Sequence, residues 1–221
     1  MIATDLALSI AVSQEQATIP FQYKVSNKRP IHNTSIQKIS FNQINGMNKD
    51  GVRKVNAALM TTSAAFSSEA KQCGSAAQGR PWGYELTLEK VLLSRKYLSV
   101  VFAKSTVCAG SPDIEKEARV FSLPTGNLIP ARSLLTQAYS KAKLVTSTST
   151  NKDLIDLDEE MAETMLEHSK EILKNDDKRC DFYLKNSSYR LWTDGKNLIL
   201  FPEYIQAQSF CQKEYVIHPE D

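Results

Sequence analysis

The stretch from Tyr84 to Gly126 decides the fold. It opens with YELTLEKVLL (84–93), breaks at SRK (94–96), continues with YLSVVFA (97–103) and closes with ARVFSLPTG (118–126). In the first two runs apolar and polar residues alternate with a period of two, which is typical of strands that place one side on a core. The short polar break between them predicts an antiparallel hairpin. Thr125 and Gly126 predict a turn after the third strand.

Strands are also predicted on both sides of this stretch. On the amino-terminal side they are Leu6–Val12, Ile19–Val25 and Ile36–Ile44. On the carboxy-terminal side they are Phe182–Leu184, Tyr189–Trp192, Leu198–Phe201 and Glu214–Ile217, with Asp194 and Gly195 as a hairpin turn. The run Leu6–Val12 has a second interpretation as the remnant of a signal peptide, although Asp5 stands where such a segment carries basic residues.

Helical spacing of apolar residues predicts two long helices, over residues 48–73 and 152–174. Asn48 or Asp50 caps the first helix, and Gly74 ends it. A shorter helix is predicted over Leu134–Ala142, capped by Ser133. The expected fold is therefore α/β (α+β), with antiparallel sheets on which the two long helices pack. The Ser/Thr-rich segment Val145–Asn151 predicts a boundary between an amino-terminal subdomain, 1–145, and a second one, 146–221, packed as one unit.

Composition argues against two classes of partner. The net charge is +2, from 27 basic and 25 acidic residues, so no strong field favours nucleic acid. No apolar run approaches the roughly 20 residues that span a bilayer, so no integral membrane segment is expected.

The four cysteines, Cys73, Cys108, Cys180 and Cys211, form no C-x-x-C motif. Of the three possible connectivities we favour Cys73–Cys108 and Cys180–Cys211, one bridge in each half of the chain. Four free thiols in a cytosolic protein are the alternative. If the bridges form, the protein is expected to be periplasmic or otherwise extracytoplasmic.

Nothing in the chain names a reaction. No G-x-S-x-G, H-E-x-x-H or P-loop motif occurs, and the three histidines are far apart in sequence. His168 falls in an apolar helical stripe and is interpreted as a packed core histidine. The acidic residues around Asp156 lack the spacing of a calcium loop. We expect no catalytic residue, no cofactor and no metal.

Two long polar segments interrupt the strand pattern, Ala109–Glu117 and Pro202–Phe210, and each has a cysteine at one end. Polar loops held by a scaffold are frequent contact surfaces. A solvated connection is the alternative for the first segment, and a core position is the alternative for Tyr204. The candidate partner-binding residues are Ser111, Asp113, Glu115, Glu117, Glu203, Tyr204, Gln206 and Phe210.

Three pieces of the chain resemble one known family. They are YLSV (97–100), FSLPTGNLIP (121–130) followed by Ser133, and DGKNLILFPEYIQA (194–207). In this order they resemble the extracytoplasmic domain of the anti-sigma factor RsiV, a module that also occurs beside the catalytic domain of the peptidoglycan deacetylase PdaC. The resemblance covers about residues 17–217. The chain departs from the family at CAGSP (108–112) and at QAQSFC (206–211), so ligand specificity is not carried over.

This resemblance implies a non-catalytic binding domain at the cell envelope, because the RsiV domain binds lysozyme. The expected partner is a secreted protein, a peptidoglycan-degrading enzyme or toxin, which the domain would inhibit as an immunity-type protein. A sensor or scaffold module that binds cell-wall material is the alternative.

Overall fold

The computed structural model describes residues 21–108, 110, 112–138, 153–173, 179–203 and 206–219, which form an α+β fold with two β-sheets. The six-stranded sheet has the order β1-β2-β3-β4-β5-β6, and its strands are Phe21–Lys28, Thr34–Ile44, Gly83–Leu93, Tyr97–Val107, Pro112–Ser122 and Leu128–Ile129. Neighbouring strands of this sheet are antiparallel, except for β2 and β3, which run parallel. The long helix α1, Lys49–Ala77, joins β2 to β3. The expected fold class is confirmed.

The four-stranded sheet has the order β10-β9-β8-β7 and is antiparallel. Its strands in chain order are β7 Ile155–Asp156, β8 Ser188–Thr193, β9 Leu198–Pro202 and β10 Tyr215–Ile217. The smaller helices are α2 Ala131–Ala138, α3 Glu159–His168, α4 Lys170–Leu173, α5 Arg179–Lys185 and a 3₁₀ helix, Gln206–Cys211.

Strand β4 is buried on both faces and lies between the two cores. Leu98, Val100 and Phe102 pack in the cluster that contains α1, whereas Val101 packs in the cluster that contains the four-stranded sheet. Because successive side chains point to opposite faces of a sheet, the period of two in the sequence divides β4 between the cores. One face of the six-stranded sheet therefore packs against α1, and the other packs against the four-stranded sheet.

A pair of buried hydrogen bonds joins the two sheets where they meet. The Ser99 hydroxyl on β4 donates to the backbone carbonyl of Thr193 at 2.7 Å, and the backbone N–H of Thr193 donates back to the same oxygen at 3.4 Å. Both residues are buried. A buried hydroxyl is costly unless it is hydrogen-bonded, so this contact favours one relative position of the sheets.

Helix α1 begins as predicted and ends later. The Asn48 side chain accepts a hydrogen bond from the backbone N–H of Gly51 at 2.8 Å, which confirms Asn48 as the cap. The predicted end at Gly74 is wrong, because the helix continues to Ala77 and Gln78 adopts the left-handed conformation. Gly74 serves packing instead, since a β-carbon there would lie 2.7 Å from the Trp82 ring.

The second long helix is shorter than predicted. Asp158 caps α3 by accepting a hydrogen bond from the Met161 N–H at 2.8 Å, so the helix starts after residue 158 instead of at 152. Ile155 and Asp156 form β7, which pairs with β8. The acidic residues near the start of α3 lie where the helix dipole favours negative charge.

Two assignments near the carboxy terminus are wrong. Phe182–Leu184 lies in helix α5 and is not a strand. His168 is exposed and is not a core residue; its ring lies 4.7 Å from the His218 ring, and its Nδ1 accepts a hydrogen bond from the His218 N–H. The apolar stripe of the helix is carried by Met161 and Met165, which are buried.

The polar segment Ala109–Glu117 is mostly strand. Strand β5 starts at Pro112 and pairs with β4 residue by residue, with Asp113 opposite Thr106 and Glu117 opposite Phe102. Asp113, Glu115 and Glu117 alternate along β5 and so share one face of the strand. That face meets other charged groups and not an apolar core.

Several predictions lie outside the described residues. They are the strand Leu6–Val12, the end of the helix predicted over Leu134–Ala142, and the boundary segment Val145–Asn151. Helix α2 starts at Ala131, before the predicted cap Ser133. Its residues Leu134 and Leu135 pack in the same apolar cluster as the four-stranded sheet.

Both predicted disulfides are confirmed, Cys73–Cys108 and Cys180–Cys211. The first joins the end of α1 to the turn between β4 and β5, and the second joins α5 to the end of the 3₁₀ helix. Disulfides persist in oxidising compartments, so the pair fits an extracytoplasmic protein. In the described part of the chain, no helix is both long and apolar enough to cross a membrane.

Gly126 is a position where the fold should tolerate no side chain. Its φ is +69°, and a β-carbon there would lie 2.2 Å from the backbone oxygen of Gly51 in α1. Gly79 also has a positive φ, +81°, but a β-carbon there would meet nothing within 4 Å. Both alanine variants carry the left-handed strain of about 1–2 kcal/mol. Gly126→Ala should lose about 1–3 kcal/mol more, because backbone atoms must move.

Thermal unfolding of the two variants tests this contact. We expect the Tm of Gly126→Ala to lie roughly 2–12 °C below that of Gly79→Ala. Equal melting temperatures would show that the turn after β5 does not pack closely on α1.

Candidate functional site

The two segments that the sequence singles out for partner binding meet in the structure. Pro112, Asp113 and Ile114 at the start of β5 face Ser209 and Gln212 across a cavity of about 300 Å³, and Phe201 also lines it. We call the surface formed by Pro112–Ile114 and Ser209–Gln212 the hairpin-tip surface. Residues almost 100 positions apart in sequence thus form one surface.

The hairpin-tip surface carries exposed apolar side chains. Ile114 is 61% exposed and Phe210 is 43% exposed. Phe182 on α5 is also exposed, and it is two residues from Cys180, whose disulfide holds the 3₁₀ helix that contains Phe210. Exposed aromatic and aliphatic side chains on a rigid support are typical anchors of protein interfaces. The sequence does not single out these two side chains, because the pattern around Ile114 predicts a polar loop and the run Phe182–Leu184 predicts a strand.

Each disulfide fixes one half of this surface. Cys108 ties the tip of the β4–β5 hairpin to α1, and Cys211 ties the 3₁₀ helix to α5. Segments that are already ordered lose less conformational entropy when they bind a partner. The cysteines therefore have a role in shaping the surface as well as in stability.

An acidic cleft adjoins the hairpin tip on the side of α1. Its volume is about 630 Å³, and it is lined by Glu69, Tyr84, Lys104, Asp113 and Glu115 as well as by the Cys73–Cys108 disulfide. The Tyr84 hydroxyl donates to Glu69 at 2.9 Å, and Lys104 forms an ion pair with Glu115. Three carboxyl groups and one ammonium group give the cleft a net negative charge.

The pKa values of Asp113 and Glu115 are shifted in opposite directions. Burial and the neighbouring Glu115 raise the pKa of Asp113. Burial also disfavours the charged form of Glu115, but the Lys104 ammonium outweighs it and lowers the pKa of Glu115.

Glu117 lies inside the protein, Glu203 is partly buried, and both belong to a network of charges. Glu117 is only 5% exposed, and its carboxylate accepts from Arg190 at 2.9 Å and from Arg119 at 3.3 Å. Glu203 binds Arg190 at 2.6 Å and is partly buried. Burial raises the pKa of Glu117 despite the nearby Arg190, Arg119 and Lys104. The network fixes β5 against β8, and Glu117 itself offers almost no surface to a partner.

Three of the candidate residues are not placed by the structure. Ser111 and Tyr204 lie outside the described residues, and so does the side chain of Gln206. Across the residues that are described, no group of three or more His, Cys, Asp or Glu side chains is arranged to hold a metal ion.

Comparisons with known proteins show a distant structural likeness. No protein-family model matches the chain. No curated protein matches it either. Among solved structures, the chain is similar to BF2082, a member of the DUF3298 family from Bacteroides fragilis NCTC 9343, with 7% identity and a TM-score of 0.42. That likeness covers 82% of this chain and 83% of BF2082.

A second group of ion pairs holds the segment after the 3₁₀ helix to the six-stranded sheet. Glu214 accepts from Lys90 on β3 at 2.5 Å and from Lys116 on β5 at 2.6 Å. Lys116 also lies 5.3 Å from the Phe201 ring that lines the 300 Å³ cavity. Burial of the Glu214 carboxyl would raise its pKa, but the hydrogen bonds from Lys116 and Lys90 outweigh burial and lower the pKa.

The lowered pKa of Glu214 predicts how stability depends on pH. A carboxyl with a lower pKa in the folded than in the unfolded state stabilises the fold above its unfolded pKa, and this contribution disappears as the pH falls through the folded value. Glu214→Gln should therefore have a lower Tm than the wild type near pH 6, and the difference should shrink as the pH falls to about 3.

Glu85→Gln is the matched control, since Glu85 is an exposed carboxyl on β3. Its Tm should follow the wild-type curve over the same range. A wild-type advantage over Glu214→Gln that stays constant down to about pH 3 would contradict the proposed role of these ion pairs.

Proposed function

We propose that this chain is a non-catalytic, extracytoplasmic binding protein that binds and inhibits a basic peptidoglycan-degrading enzyme or toxin through the hairpin-tip surface. The observation that carries the proposal is the meeting of Pro112–Ile114 with Ser209–Gln212 around one cavity. The class of partner comes from the resemblance to the RsiV domain family described above. The two disulfides support the compartment.

The composition of the surface suits a protein partner. Ile114 and Phe210 supply exposed apolar area, and a partner that covers both would remove that area from water. Binding energy at protein interfaces is concentrated in a few such side chains. The cavity lined by Ile114, Phe201 and Ser209 could take an inserted side chain of the partner.

The charge of the neighbouring cleft suits a basic partner. Glu69, Asp113 and Glu115 line it together with one ammonium group, that of Lys104. Enzymes that act on anionic wall polymers gain from a positive surface, since charge complementarity raises the rate of encounter. Salt should then slow association more than it speeds dissociation.

Inhibition of wall lysis is the direct test. Egg-white lysozyme and a panel of bacterial peptidoglycan hydrolases are incubated with the protein in molar excess, and lysis of cell walls is followed by turbidity. We expect one or more of these enzymes to be inhibited and to bind with an association rate that falls with added salt. Failure of every enzyme in the panel to bind, measured by biolayer interferometry, would overturn the proposal.

Substitutions at the hairpin tip test the site once such an enzyme has been found. Ile114→Ser and Phe210→Ser should each weaken binding at least about tenfold, because each removes an exposed apolar anchor. Met60→Ser is the matched control, since Met60 on α1 is 69% exposed and distant in the fold from the hairpin-tip surface. Wild-type affinity in both tip variants, with unchanged Tm, would exclude this surface.

A further inference from the structure

In the part of the chain that the structure describes, nothing covers the outer edge of β1. This strand is the last in the order of the six-stranded sheet, and seven of its eight residues are exposed. Only β2 pairs with it among the residues that the structure describes. An open edge presents unpaired backbone N–H and C=O groups and can accept another strand.

The hydrogen bonds of Phe41 identify which backbone groups of β1 face outward. Phe41 on β2 donates its backbone N–H to the Asn56 side chain at 2.8 Å, and its carbonyl accepts from the same amide at 2.8 Å. These two groups therefore do not bond to Tyr23, the residue opposite Phe41 on β1. In an antiparallel pair, opposed residues alternate between bonded and non-bonded pairs. The N–H and C=O groups of Tyr23, Val25 and Asn27 thus point away from β2.

Among the described residues, side chains close the far edge of β2 but not the outer edge of β1. Parallel pairing of β2 with β3 stops at Ile36, after three residue pairs. Beyond that point the Gln37 side chain accepts from the Leu88 N–H at 2.8 Å, and Asn56 binds Phe41. Within the described residues, no side chain makes the equivalent contacts with Tyr23, Val25 or Asn27.

The side chains of β1 divide into an apolar and a basic face. Tyr23 and Val25 are 41% and 42% exposed, and the Tyr23 ring lies 5.9 Å from the Phe41 ring. Lys24 and Lys28 lie on the opposite face, because side chains alternate along a strand. Between residues 21 and 44 the sequence contains four basic residues and no Asp or Glu.

We propose that the β1 edge is a second binding site, which takes an extended acidic segment of another protein as an added β-strand. The segment would alternate apolar residues, placed beside Tyr23 and Val25, with Asp or Glu, placed beside Lys24 and Lys28. Backbone hydrogen bonds to Tyr23, Val25 and Asn27 would supply affinity, and the alternating side chains would supply specificity. Directly adjacent cross-strand pairs of opposite charge are stabilising.

Charge selects among the possible occupants. A second copy of this chain would bring Lys24, Lys28 and Arg29 of both copies to one edge, and like charges across adjacent strands are destabilising. Lysine on an edge strand commonly guards against such self-association. The same lysines attract a segment that carries Asp or Glu, so they favour an acidic partner over a second copy.

Hydrogen exchange of the full-length protein alone tests whether the edge is open. The amides of Tyr23, Val25 and Asn27 should exchange fast, whereas those of Lys24, Ser26 and Lys28, which face β2, should exchange slowly. Protection of the first three in the free protein would overturn the proposal. Protection that increases with protein concentration would show that a second copy of the chain fills the edge. Protection that is independent of concentration would show that residues of the same chain, outside the described ranges, fill it.

Peptide binding tests the chemistry of the site. The probes are labelled peptides of about ten residues that alternate valine with glutamate or valine with lysine. The glutamate peptide should bind at least about tenfold more tightly and should slow exchange at Tyr23, Val25 and Asn27. Equal affinity for the two peptides, or protection elsewhere in the protein, would contradict the inference.

Two variants complete the test. Lys24→Glu combined with Lys28→Glu should reverse the preference, so that the lysine peptide binds more tightly. Val25→Pro removes an outward-facing N–H without removing a bond to β2 and should abolish binding, whereas Val25→Thr keeps that N–H and should bind like the wild type. If the charge variant keeps the wild-type preference, or if a folded Val25→Pro binds normally, the β1 edge is not the site.

Discussion

The arrangement of the two sheets depends on the ion pairs of the Arg190 guanidinium. It lies on β8, in the four-stranded sheet, and binds Glu117 on β5 at 2.9 Å and Glu203 just after β9 at 2.6 Å. Arg190 and Glu117 are each only 5% exposed. Burying such charges is costly unless each one meets an opposite charge, so a different position of the sheets would deprive buried Glu117 of Arg190, its nearest cation. Burial alone would lower the pKa of Arg190, but Glu117 and Glu203 outweigh it and raise the pKa, so the arginine stays charged.

This constraint decides where the candidate surface forms. Because Glu117 and Arg190 fix β5 against β8, the start of β5 comes next to the 3₁₀ helix that follows β9. The hydrogen bonds between Ser99 and Thr193 fix β4, the neighbour of β5, against β8 as well. The hairpin-tip surface is therefore a consequence of how the sheets pack, and the two disulfides hold its parts after the sheets have placed them.

Much of the fold follows from short-range patterns in the sequence. The alternation in Tyr84–Leu93 and Tyr97–Ala103 predicts the central hairpin, and Asp194–Gly195 predicts the turn between β8 and β9, because both signals are local. The disulfide pairing also follows, since each bridge joins cysteines within one half of the chain.

The wrong assignments have physical causes. Glu115 and Glu117 look like loop residues because their partners, Lys104 and Arg190, come from other strands and cannot be recognised in the local sequence. Leu154 and Leu157 fit a helical stripe, yet the cap at Asp158 starts the helix after them. The meeting of Ile114 with Ser209 could not be predicted, because it depends on the packing of the two sheets.

A double-mutant cycle between Glu117 and Arg190 tests most directly whether this buried pair holds the sheets together. The free energy of unfolding is measured by urea denaturation for the wild type, Glu117→Ala, Arg190→Ala and the double variant. If the pair fixes the sheets, each single variant breaks the ion pair between β5 and β8 and leaves the remaining buried charge with one partner fewer, so the coupling free energy should be about 1–3 kcal/mol. A coupling below about 0.5 kcal/mol, with additive single effects, would show that the sheets are placed by other contacts.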